Sequence, residues 1–321
     1  MLEYIIFLGL FFIILASGFF LTVADSDITL LWLCKFGKPI SALKNNVIWI
    51  TGASSGIGEF LSYELAAVGA KLALSGRNVE RLEKVKKQCV LSGKLDDKDI
   101  LLVPFDITDF SLHSECVQKV INHFGKIDIL VNNAGRTQRA MFVDIELEVD
   151  RQMFELNVLS SVSLSRIVLR HFIEQGAGHF VITSSGAGKF GAPNSASYTA
   201  SKHALHGYFE SLRTEMSNSN ISVTIVCPGP VFTPLLEIAF TGKKGEVVGQ
   251  KHSPQDKRMA VSRCAYLMGV AIANKVDEVW LCLQPILTVY YISQYTPSFF
   301  RQVIVKKVLN PGRVSKMRDG R

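Results

Sequence analysis

The sequence has no CxxC pair and no cluster of histidines. Its cysteines, Cys34, Cys89, Cys116, Cys227, Cys264 and Cys282, are scattered, unlike the close spacings of zinc sites and disulfide scaffolds. Internal repeats, low-complexity linkers and nucleic-acid motifs are also missing. One large α/β domain of roughly 250 residues is the natural fit once an apolar amino-terminal segment is set aside. Basic residues are scarce in net terms over the body. The formal charge is +7, but Arg301, Lys306, Lys307, Arg313, Lys316, Arg318 and Arg321 stand against Asp319 alone at the carboxyl end. A short basic tail beside apolar sequence suits an anionic membrane surface rather than nucleic acid.

Charge is wholly absent from "YIIFLGLFFIILASGFFLTV" over residues 4–23. As a helix, such a run spans the ~30 Å hydrocarbon core. No basic residue precedes it and it exceeds a usual signal-peptide core, which favours a retained anchor over a cleaved signal. Lys35, Lys38 and Lys44 follow the run, so the positive-inside rule puts the body on the cytosolic side. The sequon Asn220-Ile221-Ser222 offers a check, since only a lumenal body would be glycosylated there. The chain divides into an anchor (1–24), a linker (25–44), a main domain (45–282) and an apolar, basic extension (283–321).

From residue 45, short β-rich runs alternate with amphipathic ones. Strands are predicted over "NVIWI" (46–50), "KLALS" (71–75), "ILLVP" (100–104), "IDILV" (127–131), "HFVITS" (179–184), "SVTIVC" (222–227) and "EVWLC" (278–282), with helices between, such as "VERLEKVKKQCV" (79–90). Strict alternation of this kind implies a Rossmann-type, doubly wound parallel sheet of about seven strands flanked by helices. Residues 229–256 lack a period. A loop that long is usually functional, and it would lie beyond a strand's carboxyl end, where such folds bind ligands.

"IWITGASSGIGEFLSYEL" (48–65) reads as strand, glycine-rich turn and helix, with Gly52, Gly56 and Gly58 in G-x-x-x-G-x-G spacing. Small residues let backbone approach a pyrophosphate at a helix amino terminus. The end of the second strand, "ALSGRN", has Arg77 and no acid before Glu80. An acid there would meet free ribose hydroxyls, whereas arginine accommodates a 2′-phosphate, so NADP(H) is expected rather than NAD(H). Asp106, in "FDITD", either accepts from an adenine amino group or caps a turn. In "YTASK", Tyr198 and Lys202 stand at i and i+4, sharing one helix face. An ammonium beside a phenol favours the phenolate, and such a phenol can exchange protons with a carbonyl or alcohol oxygen.

Taken together, "TGASSGIG" (51–58), "NNAG" (132–135), Asn157, "TSS" (183–185), "YTASK" (198–202) and "PGPVFT" (228–233) occur in an order that resembles the short-chain dehydrogenase/reductase family over residues 45 to about 282. The resemblance implies Tyr198 as proton donor and acceptor, Lys202 as its partner and ribose ligand, and Ser185 as the hydroxyl on the substrate oxygen. Ser184 is the neighbouring alternative, and the thirteen-residue spacing to Tyr198 selects Ser185. It implies that Asn157 holds a water of the proton relay and that Asn132 stabilises the sheet. Cofactor contacts are implied at Gly52, Ser54, Ser55, Gly56, Ile57, Gly58, Arg77, Asp106, Ile107, Asn133, Ala134, Gly135, Tyr198, Lys202, Pro228, Gly229, Val231 and Thr233.

Three further segments, "DSDITLLW" (25–32), "SRCAYLM" (262–268) and "EVWLCLQP" (278–285), resemble a microsomal, NADPH-linked branch of that family associated with retinoid and steroid carbonyls. The expectation is therefore a membrane-anchored oxidoreductase of the endoplasmic reticulum acting on an apolar carbonyl or alcohol, without a metal and with family-type homo-oligomers possible. Alternatives are a 3-keto lipid, quinone or xenobiotic carbonyl reductase on the same site, or an NADPH-binding membrane scaffold without turnover. The charge-free stretch Val279–Phe300, broken by Pro285 and Pro297, reads either as an interfacial apolar flap or as a cover for the sheet edge.

Overall fold

Strands buried on both faces carry nearly continuous apolar sequence, and every residue of β1 (Val47–Thr51) and β4 (Ile129–Asn132) is buried. With β2 (Lys71–Gly76), β3 (Ile100–Pro104), β5 (Gly178–Thr183), β6 (Ile221–Pro228) and β7 (Glu278–Leu281) they form one sheet in the order β3-β2-β1-β4-β5-β6-β7. All pairings are parallel. The seven strands fall where the sequence pattern predicts, with ends displaced by two residues at most. The computed structural model describes Gly18 and residues 22–92 and 94–308. The predicted anchor over 4–23 lies outside these apart from Gly18, Thr22 and Val23, as does the tail beyond Val308. No helix among the described residues is long and apolar enough to cross a membrane.

Alternate side chains of each strand feed two cores. Ile48 and Ile50 of β1 join the core under α2 (Gly56–Ala67) and a helix at Val261–Ala273, while Val47 and Trp49 join the opposite one. That second core is covered by the helices His113–Phe124, Ser160–Gln175 and Ala196–Glu215. In chain order the helices are α1 (Ile28–Phe36), α2, α3 (Val79–Ser92), α4 (His113–Phe124), α5 (Leu147–Phe154), α6 (Ser160–Gln175), α7 (Ala196–Glu215), α8 (Val261–Ala273) and α9 (Ile286–Tyr295). A π-helical turn, Glu155–Leu159, joins α5 to α6.

The order reverses between β1 and β4, and in such sheets the crevice beyond the strands' carboxyl ends at that point receives ligands. Two segments differ from a plain reading of the sequence. Residues 25–44, expected as a linker, are packed onto the body. Asp27 N–H donates to Trp280 O (3.0 Å), Cys282 N–H donates to Asp25 O (2.9 Å), and Asp27 Oδ2 accepts from Trp280 N–H (2.7 Å). This short antiparallel bridge protects β7, an edge that would otherwise offer unpaired groups. Asp27 Oδ1 also caps α1 by accepting from Leu30 N–H (3.0 Å), and Leu30 is fully buried. After β7, α9 buries Leu287 and Tyr290, so this part of the 279–300 stretch walls the ligand crevice.

Candidate active site

The crevice is a cleft of about 330 Å³ at the carboxyl ends of the strands. The glycine-rich turn forms one arm. Gly52 and Gly56 have φ of +66° and +61°, a left-handed backbone that glycine adopts without strain. A Cβ on Gly52 would sit 2.9 Å from the Ala134 Cα. The turn is locked to the β4 end through Thr51, whose hydroxyl accepts from Asn133 N–H (3.0 Å) and Ala134 N–H (3.1 Å). Asn133 Nδ2 donates back to Thr51 O (3.0 Å). Gly58 does not line the cleft. A side chain there would strike Gly52 O, so its smallness serves the close seating of α2 on the turn.

This arm fits a dinucleotide. Ser55 stands at the N-cap of α2 without a side-chain capping bond, leaving first-turn N–H groups, which carry the helix's positive end, toward the cleft. Ser54, Ser55, Ile57, Gly76, Arg77, Asp106 and Ile107 continue the lining. Arg77 Nη1 lies 3.6 Å from Asp106 Oδ2 on a half-exposed surface. Asp106 Oδ1 accepts from Thr108 N–H (3.0 Å) and its hydroxyl (2.8 Å). Burial opposes ionisation of Asp106, but the Thr108 bonds and then Arg77 outweigh it and hold its carboxyl below the usual range. Asp106 thus caps a turn and also faces the cleft.

The candidate chemical groups meet where β5 and α7 converge. Tyr198 and Lys202 lie on α7 and both line the cleft; Lys202 Nζ is 5.7 Å from the Tyr198 ring centroid and donates to Thr183 O (2.8 Å). Burial pushes the Lys202 ammonium down to about 8. Ser185 follows β5, lines the cleft and accepts from Ala187 N–H (3.2 Å). Ser184, the competing serine, is buried, and its hydroxyl lies 3.0 Å from His206 Nε2. Pro228, Gly229, Val231 and Thr233 form the wall after β6.

Asn157 is not in the wall. It occupies the π turn, 1% exposed, where Oδ1 accepts from Arg136 N–H (2.9 Å) and Nδ2 donates to Arg136 O (2.9 Å) and Ser201 Oγ (3.0 Å). Asn132 is likewise internal, donating to Ser165 Oγ (2.9 Å).

Sequence reasoning placed the 229–256 loop on the ligand side but named no individual residue of the second arm. Phe190, Leu235, Leu236, Ile238, Val289 and Tyr290 make it largely apolar, with Arg139, His252 and Arg258 at its polar edge. Within it Tyr290 is seated against Gly186, where any Cβ would overlap the Tyr290 hydroxyl.

Behind the Ser185 loop, Glu278 of β7 joins several elements. It pairs with Lys189 (2.9 Å), accepts from Trp280 Nε1 (2.6 Å) and lies 3.4 Å from His206 Nδ1. Burial opposes its ionisation, yet His206, Trp280 and Lys189 together hold the carboxyl at about 2. His206, Cys227 and Glu278 bring potential ligand atoms within 4.8 Å. However, His206 turns Nδ1 to Glu278 and Nε2 to Cys227 and Ser184. The contacts present tie β7 to the loop after β5 and to α7, through the Glu278–Lys189 pair and the approach of His206 to Glu278.

A switch-point cleft with a glycine-rich turn and a Tyr–Lys pair defines a nucleotide-dependent oxidoreductase. The short chain dehydrogenase pattern matches residues 46–243, and the chain belongs to the short-chain dehydrogenase/reductase family. It is 45% identical over 278 residues to human Dehydrogenase/reductase SDR family member 7, covering 86% of this chain and 82% of that protein. It is 32% identical over 267 residues to the Drosophila melanogaster Dehydrogenase/reductase SDR family protein 7-like, covering 83% and 82%. Among solved structures it is similar to an alcohol dehydrogenase from the archaeon Thermococcus sibiricus complexed with 5-hydroxy-NADP. That match has a TM-score of 0.64 at 25% identity, covering 74% of this chain and 95% of that one.

Proposed function

We propose that this oxidoreductase is an NADPH-dependent reductase of apolar carbonyls, of retinoid or steroid type, anchored in the endoplasmic reticulum membrane through residues 4–23. The observation that carries the reading is one cleft in which Tyr198, Ser185 and Lys202 share the lining with a glycine-rich turn and Arg77 on one hand and with apolar side chains such as Phe190, Leu235 and Tyr290 on the other. The residues that would hold the cofactor are those of the first arm, with Arg77 toward a 2′-phosphate and Lys202 toward ribose hydroxyls. The archaeal relative's NADP analogue agrees in kind with Arg77.

Bound there, NADPH supplies hydride to the substrate's carbonyl carbon. The chain's own groups handle the oxygen. Ser185 Oγ and Tyr198 Oη hydrogen-bond it where negative charge develops. Tyr198 releases its proton to it, and the Lys202 ammonium stabilises the phenolate left behind. Asn157 is the residue to which a relay water is assigned; its amide also bonds Arg136 and Ser201.

The test is NADPH and NADH consumption by the detergent-purified chain with retinal, a 3-ketosteroid, a 3-keto lipid and a small quinone. Turnover should favour NADPH and the bulky apolar ketones, and Tyr198→Phe should lower kcat by ~10²–10⁴, the range for a positioned proton donor. Tight NADPH binding without turnover on any carbonyl would overturn the proposal.

A further inference from the structure

We propose that α1 and the outer face of α9 form one aromatic platform that rests on an anionic bilayer surface. The proposal rests on the anchor reading above. Ile28, Trp32 and Phe36 recur every fourth residue, so they share one face of α1, and they are 65%, 63% and 59% exposed. The platform continues onto α9. Ile28 N–H donates to the Tyr291 hydroxyl (2.9 Å), Tyr291 stacks on Tyr295 at 6.1 Å between centroids, and Tyr295 is 74% exposed. Phe299 extends it one turn further, half exposed. Single exposed apolar residues need no explanation, whereas a contiguous patch marks an interaction surface.

Three observations select a bilayer as the occupant. The charge-free run of 20 residues ends at Val23, and the residues up to Asp27 can extend only about 14 Å. Nor can they act as a slack tether, because Asp25 and Asp27 are hydrogen-bonded to the β7 edge. A run seated in the hydrocarbon core therefore brings α1 to the headgroup level, where tryptophan and tyrosine rings settle. Lys35, Lys38, Arg301 and Lys306 are exposed on these segments, which suits an anionic leaflet. The inner side of α9 contributes Ile286, Val289 and Tyr290 to the cleft, so the helix that walls the site also lies on lipid.

Tryptophan emission tests this directly. Trp49 and Trp280 are buried at 0% and 9% exposure, which leaves Trp32 as the exposed indole. The full chain is reconstituted in phosphatidylcholine–phosphatidylserine vesicles with bromine on the acyl chains near the headgroups. Brominated lipid should quench emission, Trp32→Phe should remove most of that quenching with turnover unchanged, and phosphatidylserine should strengthen it relative to phosphatidylcholine alone. Equal emission in brominated and plain vesicles, with a chain that resists alkaline carbonate, overturns the platform and leaves the anchor intact. A chain released by carbonate overturns the anchor, and Trp32 quenching on vesicles added from outside then still decides the platform. A Trp32 environment that changes with protein concentration and not with lipid would assign the face to a second copy and overturn the proposal.

Discussion

Replacing Arg77 by alanine should separate the two nicotinamide cofactors. The guanidinium stands at the end of β2 on the glycine-lined arm, 61% exposed, with Asp106 as its partner at 3.6 Å. A hydrogen bond to a charged group contributes ~1.5–3 kcal/mol. Because the site is open to water and salt, the lower half of that range applies. Breaking the Arg77–Asp106 contact on phosphate arrival costs a further part, about 0.2–1 kcal/mol for an exposed pair. The net, ~0.5–2 kcal/mol, corresponds to a ~2–30-fold weaker NADPH Kd in Arg77→Ala, with NADH binding unchanged. Asp106→Asn should act in the opposite sense, tightening NADPH two- to five-fold by freeing Arg77, while the amide oxygen still accepts from Thr108. The assay is fluorescence titration of both cofactors against the wild type, the two single variants and the double variant. In Arg77→Ala the Asp106→Asn gain should vanish. Equal losses for NADPH and NADH would show that Arg77 supports the fold of the arm, and the reasoning would fail.

Three other changes follow from named contacts. Burial lowers Lys202 to about 8, so its ammonium is present below that pH and lost above it. The kcat/KM for NADPH should therefore fall about tenfold per pH unit above roughly 8, and a flat profile into the ordinary lysine range would refute the role. Glu278, held at about 2 from an ordinary 4.5, gives stability that is complete above its unfolded value and lost as pH falls toward 2. Glu278→Gln should cost about 3 kcal/mol at neutral pH and flatten the acid limb of a denaturation curve measured from pH 6 to 2. Gly186→Ala places a methyl on the Tyr290 hydroxyl; overpacking of this kind costs ~1–3 kcal/mol, and the displaced α9 should raise KM for bulky ketones more than for a small quinone.

What was readable in the chain was local. Strand runs such as "NVIWI" and "ILLVP" announce themselves by nearly unbroken apolar sequence; the observed β1 lies one residue further on and is buried throughout, and β3 has the predicted bounds but, as an edge strand, is only partly buried. The turn at Gly52 and Gly56 announces itself because its backbone angles tolerate little else. The choice between Ser184 and Ser185 was less legible, resting on spacing alone. Both serines line the cleft, and the structure separates them by partner: the Ser184 hydroxyl lies 3.0 Å from His206 Nε2 of α7, whereas the Ser185 hydroxyl accepts from its own loop, at Ala187 N–H, a difference invisible in the triplet "TSS". Asn157 shows a related limit. The motif order singled the residue out, but not the π turn that engages its amide with Arg136.

The illegible parts share one cause: they depend on contacts between residues far apart in sequence. Residues 25–44 look like a linker because "DSDITLLW" has no strand pattern. Their order comes from Asp25 and Asp27 meeting Trp280 and Cys282 at the open edge of β7. The apolar arm is built the same way, with Phe190 after β5, Leu235 to Ile238 after β6 and Val289 with Tyr290 after β7. No motif could group these residues, since each follows a different strand and only the parallel sheet brings them together. The division has a functional sense. The arm that meets an invariant chemical group, the dinucleotide, is encoded by short fixed spacings such as Gly52 to Gly56. The arm that selects the substrate is encoded by side-chain size at loop and helix positions where no backbone angle is constrained. Substitutions at Phe190, Leu235 or Val289 should therefore change which small molecule fits while leaving Tyr198, Lys202 and the cofactor turn undisturbed.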